Sequence, residues 1–214
     1  MPAGTAIVTG SSCGIGRAIA ERLLADGWQV HGLDVAPAAI GQTNFIAHAV
    51  DLTDAAAAEV ATGALLEAGN PDALVHCAGV ARLAPLGKLS DDDGRLLWQL
   101  HVDAAIRLAN RVIPAMQVAG RGRVVRFGSR SSAGMAGRSQ YAASKAAIVA
   151  LAKSWAAEVV TDGVTVNVVS PAATATRMLQ DPARAGNLEK RRDKTRALKQ
   201  AMMQELLTGK TRLV

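Results

Sequence analysis

Cysteine is scarce in this chain, and long apolar runs are absent. Only two cysteines, Cys13 and Cys77, occur in 214 residues, and no C-x-x-C motif or His/Cys ligand spacing accompanies them. Two cysteines are too few for a disulfide framework in a chain of this size. No apolar run reaches the roughly 18 residues of a membrane span, and no basic segment with an apolar signal core stands at the start. We therefore expect a cytoplasmic protein with no structural metal and no membrane contact.

Aromatic residues are also few. They make up 3% of the chain, whereas hydrophobic residues of all kinds make up 50%. The interior must therefore be packed with Ala, Val, Leu and Ile, which suits close contact between helices and a sheet. The chain is long enough for one sizeable core, and it shows no internal repeat and no flexible linker. This composition favours a single α/β domain over a β-sandwich.

Positive charge is unevenly distributed along the chain. The net charge is +6, and residues 181–214 contain 9 Lys and Arg against 4 Asp and Glu, which leaves 15 and 14 in residues 1–180. The sequence thus divides into a nearly neutral domain at 1–180 and a basic, helix-prone tail of undefined role at 181–214. No aromatic residues for base stacking accompany the tail, so we do not expect a nucleic-acid partner.

Short apolar runs alternate with longer helical patterns up to about Pro171. The strand patterns cover 5–8, 29–33, 47–50, 73–76, 124–127 and 164–169, and the helical patterns cover about 15–26, 54–68, 91–118 and 141–160, with a shorter crossover near 35–44. Parallel neighbouring strands require long right-handed crossovers, which this alternation supplies. The pattern predicts a doubly wound, Rossmann-like parallel sheet with ligands beyond the carboxyl ends of its strands.

A glycine-rich turn joins the first strand pattern to the first helical pattern. It reads Thr9-Gly10-Ser11-Ser12-Cys13-Gly14-Ile15-Gly16, a G-x-x-x-G-x-G spacing rather than the commoner G-x-G-x-x-G. Glycines let the backbone turn tightly and approach a pyrophosphate, whose negative charge is attracted by the N–H groups at the start of a helix. An ordinary strand-to-helix turn is the alternative, but the position between a strand and a helix favours a dinucleotide site.

Acidic and small residues follow the next strands. Asp34, 18 positions beyond Gly16, can accept both ribose hydroxyls of an adenosine, and its charge repels the 2′-phosphate of NADP. We therefore expect NAD rather than NADP, although a solvated loop carboxylate is the alternative. Asp51 can accept from the adenine amino group, and the small Ala78 and Gly79 let the backbone approach the dinucleotide. Each of these could also be a plain strand terminus.

A tyrosine and a lysine lie one turn apart on the last long helical pattern. Tyr141 and Lys145 share a helical face and can converge on one ligand. A neighbouring ammonium stabilises a phenolate and lowers the pKa of the phenol toward working pH. Ser129, at the end of the fifth strand, can bind a substrate oxygen near the tyrosine. For an isolated Y-x-x-x-K, a core tyrosine with a snorkelling lysine would be the better interpretation.

Together, these motifs resemble the short-chain dehydrogenase/reductase family in order and spacing, from about residue 5 to 180. The shared positions are Thr9, Gly10, Gly14, Gly16, Cys77-Ala78-Gly79, Ser129, Tyr141, Lys145, Asn167 and Pro171. The resemblance implies an NAD(P)(H) cofactor and hydride exchange between its nicotinamide and a carbonyl or secondary alcohol. The expected substrate is therefore a small alcohol or ketone.

The resemblance also implies roles by position. Tyr141 becomes the acid/base, Lys145 tunes it and binds the nicotinamide ribose, Ser129 orients the substrate, and Thr176 contacts the carboxamide. The cofactor contacts expected in this way are Gly10, Ser12, Gly14, Ile15, Gly16, Asp34, Asp51, Leu52, Cys77, Ala78, Gly79, Tyr141, Lys145, Pro171 and Thr176.

Three substitutions depart from the family pattern near the site. His101 stands where the family usually places an asparagine of its proton relay, His76-Cys77 replaces Asn-Asn, and Ala172 replaces glycine after Pro171. His101 can relay protons itself, because imidazole titrates near neutral pH. A structural or surface histidine is the alternative, so His101 is a fourth candidate catalytic residue.

The C-terminal end differs most from the family pattern. Beyond residue 186 the resemblance ends, and the expected last parallel strand and glycine-rich terminal segment are not recognisable. The sequence thus predicts a sheet that lacks the last family strand, and a homo-oligomer weakened by the loss of those elements. A dinucleotide-binding protein with little or no turnover is the competing function.

Overall fold

The first strand of the chain lies in the middle of a parallel sheet. The computed structural model describes residues 2–172 together with Thr174, Thr176 and Met178. Its six strands pair in parallel in the order β3-β2-β1-β4-β5-β6. They are β1 (Thr5–Thr9), β2 (Gln29–Asp34), β3 (Phe45–Ala49), β4 (Ala73–His76), β5 (Gly122–Phe127) and β6 (Val164–Val169). The chain builds outward from β1 to β3, returns to place β4 on the other side of β1, and continues to β6.

Helices cover both faces of this sheet. They are α1 (Gly14–Ala25), α2 (Ala55–Ala68), α3 (Asp91–Trp98), α4 (Ala104–Val118) and α5 (Ser139–Glu158). A π-helical segment, Gln99–Asp103, joins α3 to α4, and a 3₁₀ turn, Arg130–Ala133, follows β5. None of the helices in the described ranges is long and apolar enough to cross a membrane.

The central strands β1, β2, β4 and β5 are buried on both faces, because each face carries its own hydrophobic cluster. Ala6 and Val8 of β1 pack with Leu23 of α1, whereas Ile7 packs with Leu108 of α4 and the helices beside it. This alternation explains why the strands read as nearly continuous apolar runs in the sequence. The predicted doubly wound parallel sheet is confirmed.

The structure divides one predicted helix and moves the start of one predicted strand. The pattern at 91–118 predicted one helix, but the π-helical segment divides it. The third strand begins at Phe45, where it pairs with Val30, rather than at residue 47. The crossover at 35–44 contains neither a helix nor a strand. The predicted basic tail at 181–214, and with it the question of a further strand, lies outside the described residues.

The topology fixes where a ligand binds. Successive connections leave β1 and β4 in opposite directions, so a crevice forms beyond the carboxyl ends of these two strands. Thr9 ends β1 and His76 ends β4, and the two residues are paired in register. The glycine-rich turn and the Cys77-Ala78-Gly79 segment therefore begin on opposite sides of the same crevice.

Candidate functional site

The glycine-rich turn requires glycine at three positions for two different reasons. Gly10 and Gly14 have φ values of +67° and +58°, in the left-handed region that side chains disfavour. Gly16 has an ordinary helical backbone, but a Cβ there would collide with the carbonyl oxygen of Gly10. The side chain of Cys13, at the N-cap of α1, makes no hydrogen bond to the first turn. The helix start thus presents backbone donors beside a turn that has no side chains in the way.

Asp34 lies beside this turn and holds two backbone donors. Its Oδ2 accepts from the Ser12 N–H at 2.9 Å, and its Oδ1 accepts from the Ala36 N–H at 2.9 Å. Each carboxylate oxygen can accept a second hydrogen bond. Asp34 therefore fixes the turn against the loop after β2 and keeps acceptor capacity for a ribose.

Thr9 connects the two sides of the crevice. Its Oγ1 accepts from the Ala78 N–H at 3.0 Å and lies 3.0 Å from Nδ1 of His76. A Cβ on Gly10 would lie 2.9 Å from the Ala78 nitrogen, so the glycine-rich turn and the segment after β4 are in direct contact. The predicted cofactor contacts at Gly10, Cys77, Ala78 and Gly79 therefore lie where the glycine-rich turn meets the segment after β4.

The remaining predicted cofactor residues occupy different positions. One oxygen of the exposed Asp51 accepts from both the backbone and the hydroxyl of Thr53 in a local turn. The side chain of Leu52 is 3% exposed and belongs to the hydrophobic core, as does the partly buried Ile15 on the other face. Thr176 lies over the glycine-rich turn, because a Cβ on Gly14 would be 3.4 Å from its Cγ2. Pro171 is half-buried just after β6.

Tyr141 and Lys145 lie one turn apart near the start of α5. The Lys145 Nζ is 5.9 Å from the centroid of the Tyr141 ring and donates to the carbonyl oxygen of Phe127 at 2.9 Å. Lys145 is buried, at 7% exposure. Burial, and secondly the charge of Arg126, lower the pKa of Lys145 to about 8. The ammonium is therefore close to its titration range rather than permanently charged.

Ser129 caps the 3₁₀ turn directly after β5. Its Oγ accepts from the Ser131 N–H at 3.1 Å, and its carbonyl oxygen accepts from the Ser132 hydroxyl at 2.6 Å. Arg138, at the start of α5, donates to the Ser131 hydroxyl at 3.4 Å. The turn that carries Ser129 is thereby tied to the helix that carries Tyr141.

His101 is buried, at 1% exposure, in the π-helical segment. Its Nε2 accepts from the Val80 N–H at 3.1 Å, so in the neutral ring the proton resides on Nδ1. That proton is donated to Ser144 Oγ at 3.0 Å, and the Ser144 hydroxyl donates to the Tyr141 carbonyl at 2.9 Å. Burial, and then the charge of Lys145, hold the pKa of His101 well below its ordinary value of 6.5. The structure thus excludes the surface position that the sequence left open.

Arg126 is a site residue that the sequence analysis missed. It lies in the middle of β5 and is 1% exposed. The signal was present, because one arginine interrupts the otherwise apolar run Val124-Val125-Arg126-Phe127. A strand pattern tolerates one charged residue on a solvated face, and Arg126 was not singled out although the predicted doubly wound sheet is covered on both faces.

These features fit a nicotinamide dinucleotide. Gly10 and Gly14 adopt the left-handed backbone of the turn, the start of α1 has no side-chain cap, and a carboxylate lies beside the turn. The crevice at the strand reversal and the phosphate-type turn define a dinucleotide-binding α/β protein.

Comparison with known proteins identifies the family. Residues 4–186 match the sequence profile described as short chain dehydrogenase. The chain is 38% identical over 196 residues to the 3-oxoacyl-[acyl-carrier-protein] reductase FabG of Salmonella typhimurium, covering 86% of this chain and 80% of that protein. It is 36% identical over 189 residues to the short-chain reductase protein NovJ of Streptomyces niveus, covering 83% and 72%. A solved short-chain dehydrogenase from Streptomyces avermitilis superposes with a TM-score of 0.81 at 29% identity, over 94% of this chain and 84% of that one.

The chain belongs to the short-chain dehydrogenase family, so the predicted resemblance is confirmed. Membership places the chain in the general class of NAD(P)-dependent oxidoreductases.

Proposed function

We propose that this chain transfers a hydride between NAD and the carbon of a ketone or secondary alcohol, with Tyr141 as the acid/base. The observation that supports it most is the buried Lys145 ammonium 5.9 Å from the Tyr141 ring, anchored on the Phe127 carbonyl. A core tyrosine with a snorkelling lysine would keep the ammonium in water, whereas this Nζ bonds to backbone beside the crevice.

The residues divide the chemistry between them in this proposal, and Lys145 also binds the nicotinamide ribose. In the oxidative direction, the Tyr141 phenolate takes the proton of the substrate hydroxyl while the hydride leaves the same carbon for the nicotinamide. The Lys145 ammonium stabilises the phenolate, and the Ser129 hydroxyl donates a hydrogen bond to the substrate oxygen. In the reductive direction, the Tyr141 hydroxyl returns the proton to the carbonyl oxygen. The cofactor, when bound, supplies or accepts the hydride.

We assign His101 to positioning rather than to proton relay. Its two ring nitrogens are committed to Val80 and Ser144, and protonation of Nε2 would break the bond from the Val80 N–H. The histidine therefore links the segment after β4 to the helix that carries Tyr141.

The preference for NAD rests on Asp34. Its position between the glycine-rich turn and the loop after β2 supports a contact with the adenosine ribose, where a 2′-phosphate would meet a negative charge. The expected contacts along the cofactor remain those at the glycine-rich turn, Asp51, the segment after β4 and Thr176.

A substrate panel tests the proposal. Purified protein with NAD or NADH is incubated with secondary alcohols, sugar alcohols, steroids and 3-oxoacyl thioesters, and NADH absorbance is followed. The thioesters are included because relatives at 38% identity are named as reductases of such compounds. Turnover of at least one class is the expected result. Tight cofactor binding with no turnover across the panel would favour a dinucleotide-binding protein instead.

A further inference from the structure

Arg126 is a buried cation with an unusual setting. It lies in β5, in register with His76 of β4 and Val168 of β6. Its guanidinium carbon is 5.2 Å from the centroid of the Trp155 ring on α5, and its Nη1 is 3.4 Å from the Ala105 carbonyl oxygen on α4. The side chain is therefore enclosed between the sheet and two helices.

The guanidinium lacks the partners that a buried charge normally has. Its Nε and Nη2 have no hydrogen-bond partner within the described part of the chain, and no carboxylate there forms an ion pair with it. A charge buried in this way destabilises the fold, and an apolar side chain of similar length would avoid that penalty. Stability alone does not account for an arginine at this position.

No buried carboxylate offsets this charge, because none of the buried residues that the structure describes is an aspartate or a glutamate. His76 of β4 and His101 of the π-helical segment are buried and held neutral, and their pKa values lie well below 6.5. The carboxylates on the elements packed against this face, Glu59, Asp103 and Glu158, are half-buried or exposed. Among the described residues, Lys145 of α5 is the one other buried lysine or arginine.

Backbone and helix contacts connect the two cations. Lys145 donates to the carbonyl oxygen of Phe127, the residue that follows Arg126 in β5. Arg126 in turn packs on Trp155, which lies further along the same helix as Lys145. Two like charges held in one region of low dielectric repel each other, and the charge that can lose a proton more easily does so first. That charge is Lys145.

We propose that Arg126 is a positioning residue that acts through Lys145, and that its charge lowers the upper end of the pH range in which an ammonium stands beside Tyr141. The proposal rests on the function assigned above to Tyr141 and Lys145. It adds that a residue of β5 that touches neither substrate nor cofactor lowers the alkaline limit of activity. Burial of Lys145 contributes the larger part of the effect, and Arg126 adds to it.

Charge at position 126 is the variable to test. Arg126→Met and Arg126→Gln remove the charge and keep roughly the length, and Lys153→Met, which removes an exposed charge from the helix that carries Lys145, is the control. The Lys145 side chain is followed by its ¹³Cε chemical shift against pH in cofactor-free protein, with the resonance assigned from Lys145→Met. Circular dichroism checks that each variant is folded, and the two neutral variants replace one another if either fails to fold.

The expected result is a Lys145 titration midpoint near pH 8 in the unmodified protein, below the ordinary 10.5. The midpoint should move to higher pH in Arg126→Met or Arg126→Gln and stay near its original value in Lys153→Met. The alkaline limb of kcat/KM should move in the same direction. A midpoint near 10.5 in the unmodified protein, or one that the neutral variants leave unchanged, would overturn the proposal. This titration needs no turnover, so it can contradict the role of Arg126 while Tyr141 remains the acid/base. It can also confirm the role of Arg126 in a protein whose proposed reaction is wrong.

Discussion

Asp34 illustrates at the residue scale how one side chain serves both structure and recognition. It accepts from the Ser12 and Ala36 N–H groups, so its removal affects the glycine-rich turn as well as any ribose contact. A substitution that removes the charge but keeps an acceptor oxygen is therefore needed to separate the effect of the charge from that of the hydrogen bonds.

We predict that Asp34→Asn narrows the preference for NAD over NADP. The asparagine retains one acceptor oxygen for the turn but no longer repels a 2′-phosphate. Calorimetric titration with both dinucleotides should show NAD binding more tightly in the unmodified protein, and NADP affinity rising relative to NAD by about tenfold in the variant, as expected for about 1.4 kcal/mol. Equal affinities in both proteins would show that Asp34 does not read the ribose.

The juxtaposition of two residues could be predicted from the sequence where local helical spacing determines it. The helical spacing of Tyr141 and Lys145 put both side chains on one face, and the structure brings the ammonium to 5.9 Å from the ring. Burial of Arg126 and the fixed tautomer of His101 were beyond the sequence, because each depends on groups distant along the chain. Val80, for instance, is 21 residues from His101, and Ser144 is 43.

At the element scale, the glycine-rich turn offers a matched pair of substitutions. Gly16→Ala should weaken dinucleotide binding and lower the free energy of unfolding by about 1–3 kcal/mol, because its Cβ would collide with the Gly10 carbonyl. Gly41→Ala is the control, since nothing lies within 4 Å of a Cβ there and its backbone is not in the left-handed region. Thermal melts and cofactor titration measure both effects. A Gly16→Ala protein that behaves like Gly41→Ala would contradict the proposed packing of the turn.

Most helices and strands could be predicted because the spacing of apolar residues along the sequence reflects which faces are buried. Parallel strands covered on both faces give short apolar runs, and amphipathic helices give longer patterns between them. The π-helical segment at Gln99–Asp103 could not be predicted in this way, since one wider turn barely alters the spacing of buried residues along 91–118. The limits of β3 depend on its pairing with β2, which local sequence does not encode.

At the scale of the whole molecule, the histidines make stability sensitive to acid. His31, His76 and His101 are all buried in the fold, and the pKa of each is lowered, with burial as the largest cause. The unfolded chain takes up these protons near pH 6.5 and the folded chain does not. The contribution of these histidines to stability is therefore present above that pH and is lost as pH falls.

We predict that the free energy of unfolding decreases below about pH 6.5, by up to about 1.4 kcal/mol per pH unit for each histidine that stays neutral in the fold. Urea unfolding at a series of pH values measures this slope. His76→Gln should reduce this slope by the contribution of one proton, about 1.4 kcal/mol per pH unit, because the glutamine side chain does not titrate. A slope that His76→Gln leaves unchanged would mean that His76 is already protonated in the folded protein.

The free-energy cost of burying an unpaired charge predicts that Arg126→Met stabilises the molecule. Replacing an unpaired buried cation with an apolar side chain of similar length should raise the free energy of unfolding, by about 1–4 kcal/mol at neutral pH. Chemical denaturation of Arg126→Met beside Lys153→Met, which removes an exposed charge instead of a buried one, provides the comparison. A large destabilisation in a folded Arg126→Met protein would show that the guanidinium is paired in solution.

The central claim is that Tyr141 transfers the substrate proton in a protein that binds NAD independently of that hydroxyl. The most direct measurement compares unmodified protein with Tyr141→Phe on the best substrate of the panel, recording turnover and NAD affinity together. Turnover should fall by about 10²-fold or more while affinity changes by no more than about twofold, because only the proton-transferring oxygen is removed. Lys145→Ala should reduce both quantities, since its ammonium has both tasks. Turnover of Tyr141→Phe close to that of the unmodified protein would contradict the account.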